Sequence, residues 1–435
     1  MSTEPLRLGV AGLGVVGGGL LKLVLNRGGE FARVGAPLAV TGVCARNRSR
    51  DRGVDLSGIA WRDDPCALAR SEDVDVFVEL IGGADGSARA AVEAAIAAGK
   101  HVVTANKALV AEHGRALAEA AEKAGVAFRY EAAVAGGVPV VRAVRDALAG
   151  ARVKRVAGVL NGTCNYILTE MQATGRPYED VLADAQRLGY AEADPAFDVG
   201  GVDAAHKIAI LAALAFHGVP DFADIPVSGI EGVSPVDIAY AEEMGYRVKL
   251  LAVAEAEGEE LDIRVSAALA PDDHPIGRSE GPDNVIVVDS DPVGQLSFQG
   301  PGAGEGATAA AVASDIVAIA RGETGPVFAA AASDLKSVRV RDVGGDLARF
   351  YLRLALRDAP GAMAEAAATL AKHDVSIAAM QQPETEEDAG PDEPATVVFI
   401  THRVRVRDIE AAVAALETDA IALRASSLIR IEDFD

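Results

Sequence analysis

The chain has 435 residues, half of them hydrophobic and 24% charged, which suits about three soluble globular domains. Its 41 Lys+Arg against 64 Asp+Glu leave a net charge of −23, which argues against nucleic acid or an anionic membrane surface as partner. Three cysteines (Cys44, Cys66, Cys164), with no C-x-x-C spacing, are too few for a disulfide framework and predict a reducing cytoplasmic setting. The glycine-broken N-terminus lacks the basic region and cleavage site of a signal peptide. No charge-free run reaches the roughly 18 apolar residues of a membrane span.

Residues 1–134 alternate strand-like runs (LRLGVA, LAVTGVCA, VDVFVEL, HVVTA, VAFRY) with helix-like ones (VVGGGLLKLVLN, SARAAVEAAIAAG, ALVAEHGRALAEAAEKAG). That alternation predicts a doubly wound parallel sheet. Gly12-Leu13-Gly14-Val15-Val16-Gly17 is a G-x-G-x-x-G that follows the first strand and opens the first helix, the context a dinucleotide-binding motif requires. The first glycine permits the tight turn, the second close approach of a pyrophosphate, and the third helix–strand packing. The anion then sits at a helix N-terminus. A Rossmann-type domain is therefore expected. After the second strand, where an acidic residue would hold the ribose of NAD, the chain has Cys44-Ala-Arg46-Asn-Arg48-Ser-Arg50. Arg46 and Arg48 suit a 2′-phosphate, so NADP is expected over NAD.

Residues 135–335 predict an α+β domain: helical YEDVLADAQRLG and GVDAAHKIAILAALAF, then a hairpin over RVKLLAVAEAEGEELDIRVSAALA, then NVIVVDS and GQLSFQG. A charged stretch, SDLKSVRVRDVGGD, precedes residues 348–432, whose βαββαβ order is ferredoxin-like. The acidic PETEEDAGPDEP inside that tail reads as a mobile hairpin loop.

The segment 185–207 carries Glu192, Asp194, Asp198 and Asp203 ahead of Lys207. Asp203 and Lys207 stand at i and i+4 on one helix face. By itself that pair reads as an exposed ion pair worth ~0.3–0.5 kcal/mol. The Gly/Asp/Pro-rich approach loop is more than such a pair needs.

This segment resembles the homoserine dehydrogenases, whose pattern A-x3-G-[aromatic or aliphatic]-[small]-x2-D-P-x2-D-V-x-G-x-D-x3-K it fits at every fixed position. The resemblance extends to Asn161-Gly-Thr-Cys164-Asn-Tyr-Ile-Leu168, Thr104-Ala-Asn-Lys107, Glu131–Pro139 and Gly300-Pro-Gly302-Ala-Gly304, with Cys164 standing where Thr is usual. It implies NAD(P)-dependent interconversion of L-homoserine and L-aspartate 4-semialdehyde. The resemblance makes Lys207 the general acid/base, puts Lys107 near nicotinamide and substrate, and makes Glu192 and Asp203 substrate-binding carboxylates. It also offers Gly189 and Gly302 as further cofactor contacts, and the helix that follows the second glycine loop, from about 305 to 335, is expected to return to the nucleotide domain. A monovalent cation, usually sodium, would be held by Glu131, Val134, Gly136 and Val138. Asp194, Asp198 and His206 are read as structural.

Residues 348–430 resemble an ACT domain, with the loop Asp358-Ala-Pro-Gly361 as the implied amino-acid site and threonine as the implied effector. A purely dimerising module is the alternative. The resemblance implies a homodimer through the 135–335 domain, or a homotetramer with the tail. No kinase-like segment precedes residue 1, so a monofunctional enzyme is expected. Two rivals stand beside this reading: an acyl-forming aldehyde dehydrogenase using Cys164 as nucleophile, and a catalytically silent NADP- and amino-acid-sensing protein.

Overall fold

The computed structural model describes residues 4–192, 194–258, 260–382 and 394–434. Strands β1 (Leu6–Ala11), β2 (Leu38–Cys44), β3 (Ala60–Trp61), β4 (Val76–Glu79), β5 (His101–Thr104) and β6 (Phe128–Arg129) form a parallel sheet in the order β3-β2-β1-β4-β5-β6. The order reverses between β1 and β4, so a crevice opens at their C-terminal ends. Helices α1 (Val15–Asn26), α2 (Gly28–Val34), α3 (Pro65–Ala69), α4 (Ser87–Ala97) and α5 (Lys107–Ala124) connect the strands. Asn106 caps α5 by accepting from Leu109 N at 3.1 Å, and left-handed Gly125 ends it. The two-residue β3 escaped the sequence reading because it is too short to show a period.

The next part of the chain contributes α6 (Val140–Arg142), β7 (Arg152–Val159), α7 (Gly162–Thr174), α8 (Tyr178–Leu188), α9 (Ala196–Val199) and α10 (Val202–Phe216). It continues through β8 (Gly218–Pro220), α11 (Pro235–Glu243), β9 (Tyr246–Glu257), β10 (Glu260–Pro271), β11 (Asp283–Asp291) and β12 (Gly294–Pro301). The predicted hairpin is β9–β10, and α10 packs on β7, β9 and β10 with its residues 203–214 all buried. Helix α12 (Glu305–Ala320) then returns to α1. A Cβ on Gly19 would stand 2.7 Å from Glu305 Cγ, and Lys22 Nζ meets Glu305 Oε1 at 2.6 Å. The returning helix was expected to run to about residue 335. It stops at Ala320, followed by Gly322 at φ 80° and an irregular segment with one turn at Ala332–Asp334.

The tail follows β13 (Lys336–Val338) and comprises β14 (Leu347–Leu356), α13 (Ala362–Lys372), β15 (Ile377–Gln381), β16 (Ala395–Thr401), β17 (Val404–Arg405), α14 (Val406–Thr418) and β18 (Ser427–Ile431). The predicted βαββαβ is present, with the two-residue β17 added. Residues 383–393, most of the stretch expected as a mobile loop, lie outside the described residues. The tail's sheet is not separate. β10 pairs in parallel with β18, giving one sheet ordered β12-β11-β7-β9-β10-β18-β14-β16-β15. Buried Asp237, which closes a capping box with Ser234 at the start of α11, also accepts from Tyr351 Oη at 2.9 Å and Arg353 Nε at 2.7 Å on β14. The charged stretch at 333–346 is itself tied down, with β13 paired to β8 and Arg341 N donating to Leu261 O at 2.8 Å, rather than a loose linker.

Candidate active site and nucleotide cleft

The glycine loop is built around its backbone. Gly12 sits at φ 98°, and a Cβ there would lie 2.2 Å from Leu80 O; on Gly17 it would lie 2.1 Å from Gly12 O. Both positions are closed to any larger residue by backbone atoms, so the third glycine packs on the loop itself. Gly14 differs. A Cβ there meets no protein atom within 4 Å, and α1 starts beyond it with no side-chain cap. Uncapped N–H groups facing open space suit an anion. Leu13 is buried, Val16 half-buried and Val15 exposed.

Gly12, Leu13, Gly14 and Arg46 line a cavity of about 650 Å³, together with Arg50 and Arg52. Arg48 is not in its wall; its guanidinium lies 5.5 Å from the Trp61 ring centre. The basic loop folds back, with Arg52 donating to Asn47 O and Arg50 O, so Arg50 and Arg52 take the place expected of Arg48. The sequence showed the cluster but not which members face inward. A dinucleotide fits this cleft on two counts: the open, uncapped helix start and the arginines at the end of β2.

At the C-terminal ends of β4 and β5, α5 begins with Lys107, and α10 brings Asp203 and Lys207 toward it. Asp203 Oδ1 lies 2.7 Å from Lys107 Nζ, and its Oδ2 lies 2.7 Å from Lys207 Nζ. Lys207 also donates to Leu160 O at 2.6 Å. Two of the three ammonium hydrogens are thus committed, which leaves one for a substrate oxygen. Asn161 Nδ2 donates to Asp203 Oδ2 at 2.9 Å and Asp198 Oδ1 at 3.0 Å, while Asn284 Nδ2 holds Leu160 O at 2.9 Å. Neither Leu160 nor Asn284 was singled out from sequence. A backbone carbonyl leaves no residue-type signal, and Asn284 is 124 residues away from its partner.

The side chains of Asp203 and Lys207 are 3% and 10% exposed, against 34% for Lys107. An exposed helix pair is therefore ruled out for Asp203 and Lys207. Burial pushes the Lys207 pKa down, and Lys107 pushes the same way, against the pull of Asp203. For Lys107, burial is outweighed by Asp203, Asp198 and Glu192, and its pKa rises. Burial opposes ionisation of Asp203, yet the two ammonium groups hold its carboxyl well below the usual range. The cluster is a buried carboxylate between an accessible cation and a deep, weakened one.

Phe197 lies against Lys107, with Nζ 5.5 Å from its ring centre. His206 stacks on Phe222 at 4.2 Å and pairs with Glu112 at 3.3 Å, away from Lys207, as its place on the helix requires. Glu192 is exposed in the loop after α8. Gly189 is the left-handed C-cap of α8, and Asp194 Oδ1 accepts from Ala196 N at 3.3 Å ahead of α9. Cys164 is fully buried at the start of α7, with Sγ 3.3 Å from Asp198 O, and burial raises its pKa well above that of a free thiol. A nucleophile needs an accessible thiolate, so the acyl-forming rival fails.

Gly302 packs where a Cβ would lie 2.0 Å from Asn284 Oδ1, and its carbonyl closes on Gly136. Packing thus accounts for that glycine. Gly136 belongs to the turn that follows Glu131, with Val134 and Val138 buried beside it. The Glu131 carboxylate accepts from Val141 N at 3.0 Å and Arg142 N at 2.9 Å. Burial and neighbouring Asp315 push its pKa to about 7. Asp85, Glu112 and His113 form a carboxylate–histidine cluster of metal-ligand dimensions. Arg89 already fills the place of a cation there, 3.2 Å from Asp85 and 3.3 Å from His113. In the tail, Gly361 is the exposed, left-handed N-cap of α13 at φ 96°, with exposed Asp358 just before it.

A Rossmann sheet with a glycine-loop cleft, and a lysine–carboxylate cluster at the same edge, defines a nicotinamide-dependent oxidoreductase. Residues 12–131 match the homoserine dehydrogenase NAD-binding domain, residues 139–317 the homoserine dehydrogenase family proper, and residues 350–420 the ACT domain. A homoserine dehydrogenase of Neisseria gonorrhoeae is 39% identical, covering 99% of both chains. One of Mycobacterium tuberculosis is 41% identical over 99% of this chain and 98% of its own. The crystal structure of a homoserine dehydrogenase from Thiobacillus denitrificans superposes with a TM-score of 0.91 at 37% identity, covering 100% of each chain. The chain belongs to the homoserine dehydrogenase family.

Proposed function

We propose that the chain interconverts L-aspartate 4-semialdehyde and L-homoserine with Lys207 as general acid/base, NADP as the preferred cofactor and NAD as the alternative. The observation that carries this reading is Asp203 bridging Lys107 and Lys207 at 2.7 Å each. When bound, the cofactor supplies or accepts the hydride at the terminal carbon. The protein handles the proton. In reduction, Lys207 Nζ gives a proton to the carbonyl oxygen as the carbon gains hydride; in oxidation, it takes that proton back. Burial lowers its pKa toward the working range, which is what an acid/base lysine needs. Lys107 supplies a fixed positive charge beside the developing alkoxide. Glu192 and Asp203 are the counter-ions for the substrate ammonium. Asn161 and Leu160 O orient the pair.

Arg46, Arg50 and Arg52 are the groups for the 2′-phosphate, by their place in the cleft wall. Glu131 with the turn through Val134, Gly136 and Val138 would hold sodium or another monovalent cation; the like charge of Asp315 favours one there. The uncapped turn at Asp358–Gly361 would receive threonine, its carboxylate on the start of α13. The outer strands β12 and β15 end the large sheet, which supports a homodimer or homotetramer. No helix among the described residues is long and apolar enough to cross a membrane, and the three cysteines are free, which agrees with a cytoplasmic enzyme.

The test is absorbance at 340 nm with L-homoserine and NADP, then NAD, for wild type and Lys207→Ala. Turnover that falls by about 10²-fold or more in the variant supports Lys207 as acid/base. Full activity in the variant would take Lys207 out of the reaction. Tight NADPH binding without turnover in the wild type would instead support the sensing protein.

A further inference from the structure

Lys249, on β9, is buried and stands outside the Lys107–Asp203–Lys207 cluster. Its ammonium donates to Asn165 Oδ1 at 3.1 Å and to Ser279 O, and among the described residues no carboxylate forms an ion pair with it. Burial pushes its pKa down to about 8, with Glu280 pulling the other way and Arg247 adding to the fall, so it is still charged at pH 7. A buried cation without a carboxylate is costly, and an apolar residue would fill the same place without that cost. Its presence calls for a task that needs a donor there.

The two acceptors belong to different parts of the domain. Asn165 lies in the first turn of α7, and Ser279 in the segment between β10 and β11. That segment is laced to α7. Gly281 N donates to Thr169 Oγ1 at 3.2 Å, and Asn165 Nδ2 donates to Asp283 O at 3.4 Å. A Cβ on Gly162 would lie 2.4 Å from Pro282 O. The next residue along, Asn284, donates to Leu160 O at 2.9 Å, and the same carbonyl accepts from Lys207 at 2.6 Å. On the helix side, Asn165 N donates to Asn161 O at 3.2 Å, and the Asn161 side chain holds Asp203. Lys249 thus bonds two partners at once: the segment that carries Asn284, and the helix that Leu160 and Asn161 lead into.

We infer that Lys249 is a positioning residue for the reaction: its ammonium clamps the 279–284 segment to α7 and so fixes Leu160 O, the acceptor that aims Lys207. The inference rests on Lys207 as the acid/base and adds a residue that touches neither substrate nor cofactor. Asn284 sets the direction of the Leu160 carbonyl, Asn161 that of the Asp203 carboxylate, and Lys249 keeps the two asparagines in register with each other. Methionine in its place would fill the space of the lysine chain but leave Ser279 O and Asn165 Oδ1 without that donor. The segment then loosens from α7, and Leu160 O leaves its line with Lys207 Nζ. The charged form of Lys207 loses a hydrogen bond that favours it, so the proton is held less firmly although Asp203 remains. A displacement of about 1 Å is enough to slow the transfer.

The experiment compares wild type with Lys249→Met by three readouts: kcat and KM for NADPH, the pH profile of kcat/KM for semialdehyde reduction, and amide hydrogen exchange. The kcat should fall about tenfold or more with KM for NADPH unchanged. The limb on which activity falls with rising pH should move acidward, and exchange should quicken at residues 279–284. Lost stability alone would leave the limb in place. A limb at the wild-type position overturns the inference, whatever the rate, and so does unchanged exchange. A limb that moves to higher pH overturns it too, because Lys249 itself would then be the titrating group. If Lys249→Met does not fold, Thr169→Val decides. It removes the acceptor of Gly281 N from a half-buried helix position, and should move the limb the same way by a smaller step; an unmoved limb there overturns the inference. A wild type without turnover, or a fully active Lys207→Ala, would strike the functional reading instead, and exchange at 279–284 would still show whether the clamp exists.

Discussion

Replacing Asp203 with Asn keeps the shape of the site and removes the charge between its two lysines. A carboxylate and an ammonium with charge centres about 4 Å apart interact by ~4 kcal/mol at an effective dielectric of 20. For Lys207, whose side chain is only 10% exposed, loss of that partner lowers the midpoint of its titration. Burial and Lys107 already hold that midpoint down, and in the variant the weaker pull of Asp198 is left against them. Lys207 in Asp203→Asn should hold its proton less firmly than in wild type, and so give it to the aldehyde less often at a given pH. The assay is the pH profile of kcat/KM for semialdehyde reduction, read at 340 nm. The limb on which activity falls with rising pH should move acidward. Activity at pH 7 should drop by about 10² or more and recover partly on acidification. A variant whose limb stays at the wild-type position, whatever its rate, would refute the claim that Asp203 sets the protonation of Lys207.

Asp203 also bears on stability: its carboxyl is held below the usual range in the fold, so its contribution is complete above the unfolded value of about 3.9 and is lost as pH falls toward the folded one. Melting temperature against pH should therefore drop more steeply below about pH 4 in wild type than in Asp203→Asn. Gly14→Ala adds a methyl to space that no protein atom occupies, at an ordinary φ of −77°, so its melting temperature should match wild type while KM for the cofactor rises about tenfold or more. An unchanged KM would remove Gly14 from the phosphate site. Arg50→Ser should lower the NADP-to-NAD ratio of kcat/KM by about tenfold or more, the worth of a charge-assisted hydrogen bond, and Arg48→Ser should move it far less. Replacing sodium by tetramethylammonium at equal ionic strength should lower the melting temperature of wild type but not of Glu131→Ala; equal responses would argue against a cation at that turn.

What could be read from the chain divides by range. Gly12, Gly14 and Gly17 lie within one turn and one helix start, so their spacing already announced the closed turn and the open, uncapped helix start. Asp203 and Lys207 were on one face by helix geometry, but their burial was not visible. It depends on Lys107, nearly a hundred residues upstream, and on Leu160 O, which no side chain announces. The arginine cluster was legible as charge, whereas which members line the cleft depends on the fold-back of the loop, where Arg52 donates to Asn47 O and Arg50 O. The tail's element order followed from alternating patterns. That its last strand joins β10 depends on register between distant segments, and neither LDIRVSAALA nor SLIRI has a feature that names the other.

That last pairing bears on how the chain can be cut. Glu432, three residues from the C-terminus, neutralises Arg155 and Arg264 in the catalytic sheet, and Glu432 N donates to Leu269 O at 2.9 Å. A stop codon that removed the tail would uncover the edge of β10 and strand buried guanidiniums, at about 3–5 kcal/mol for each broken buried pair. Changes to the tail that leave a folded enzyme are therefore to be sought as point substitutions rather than as truncations.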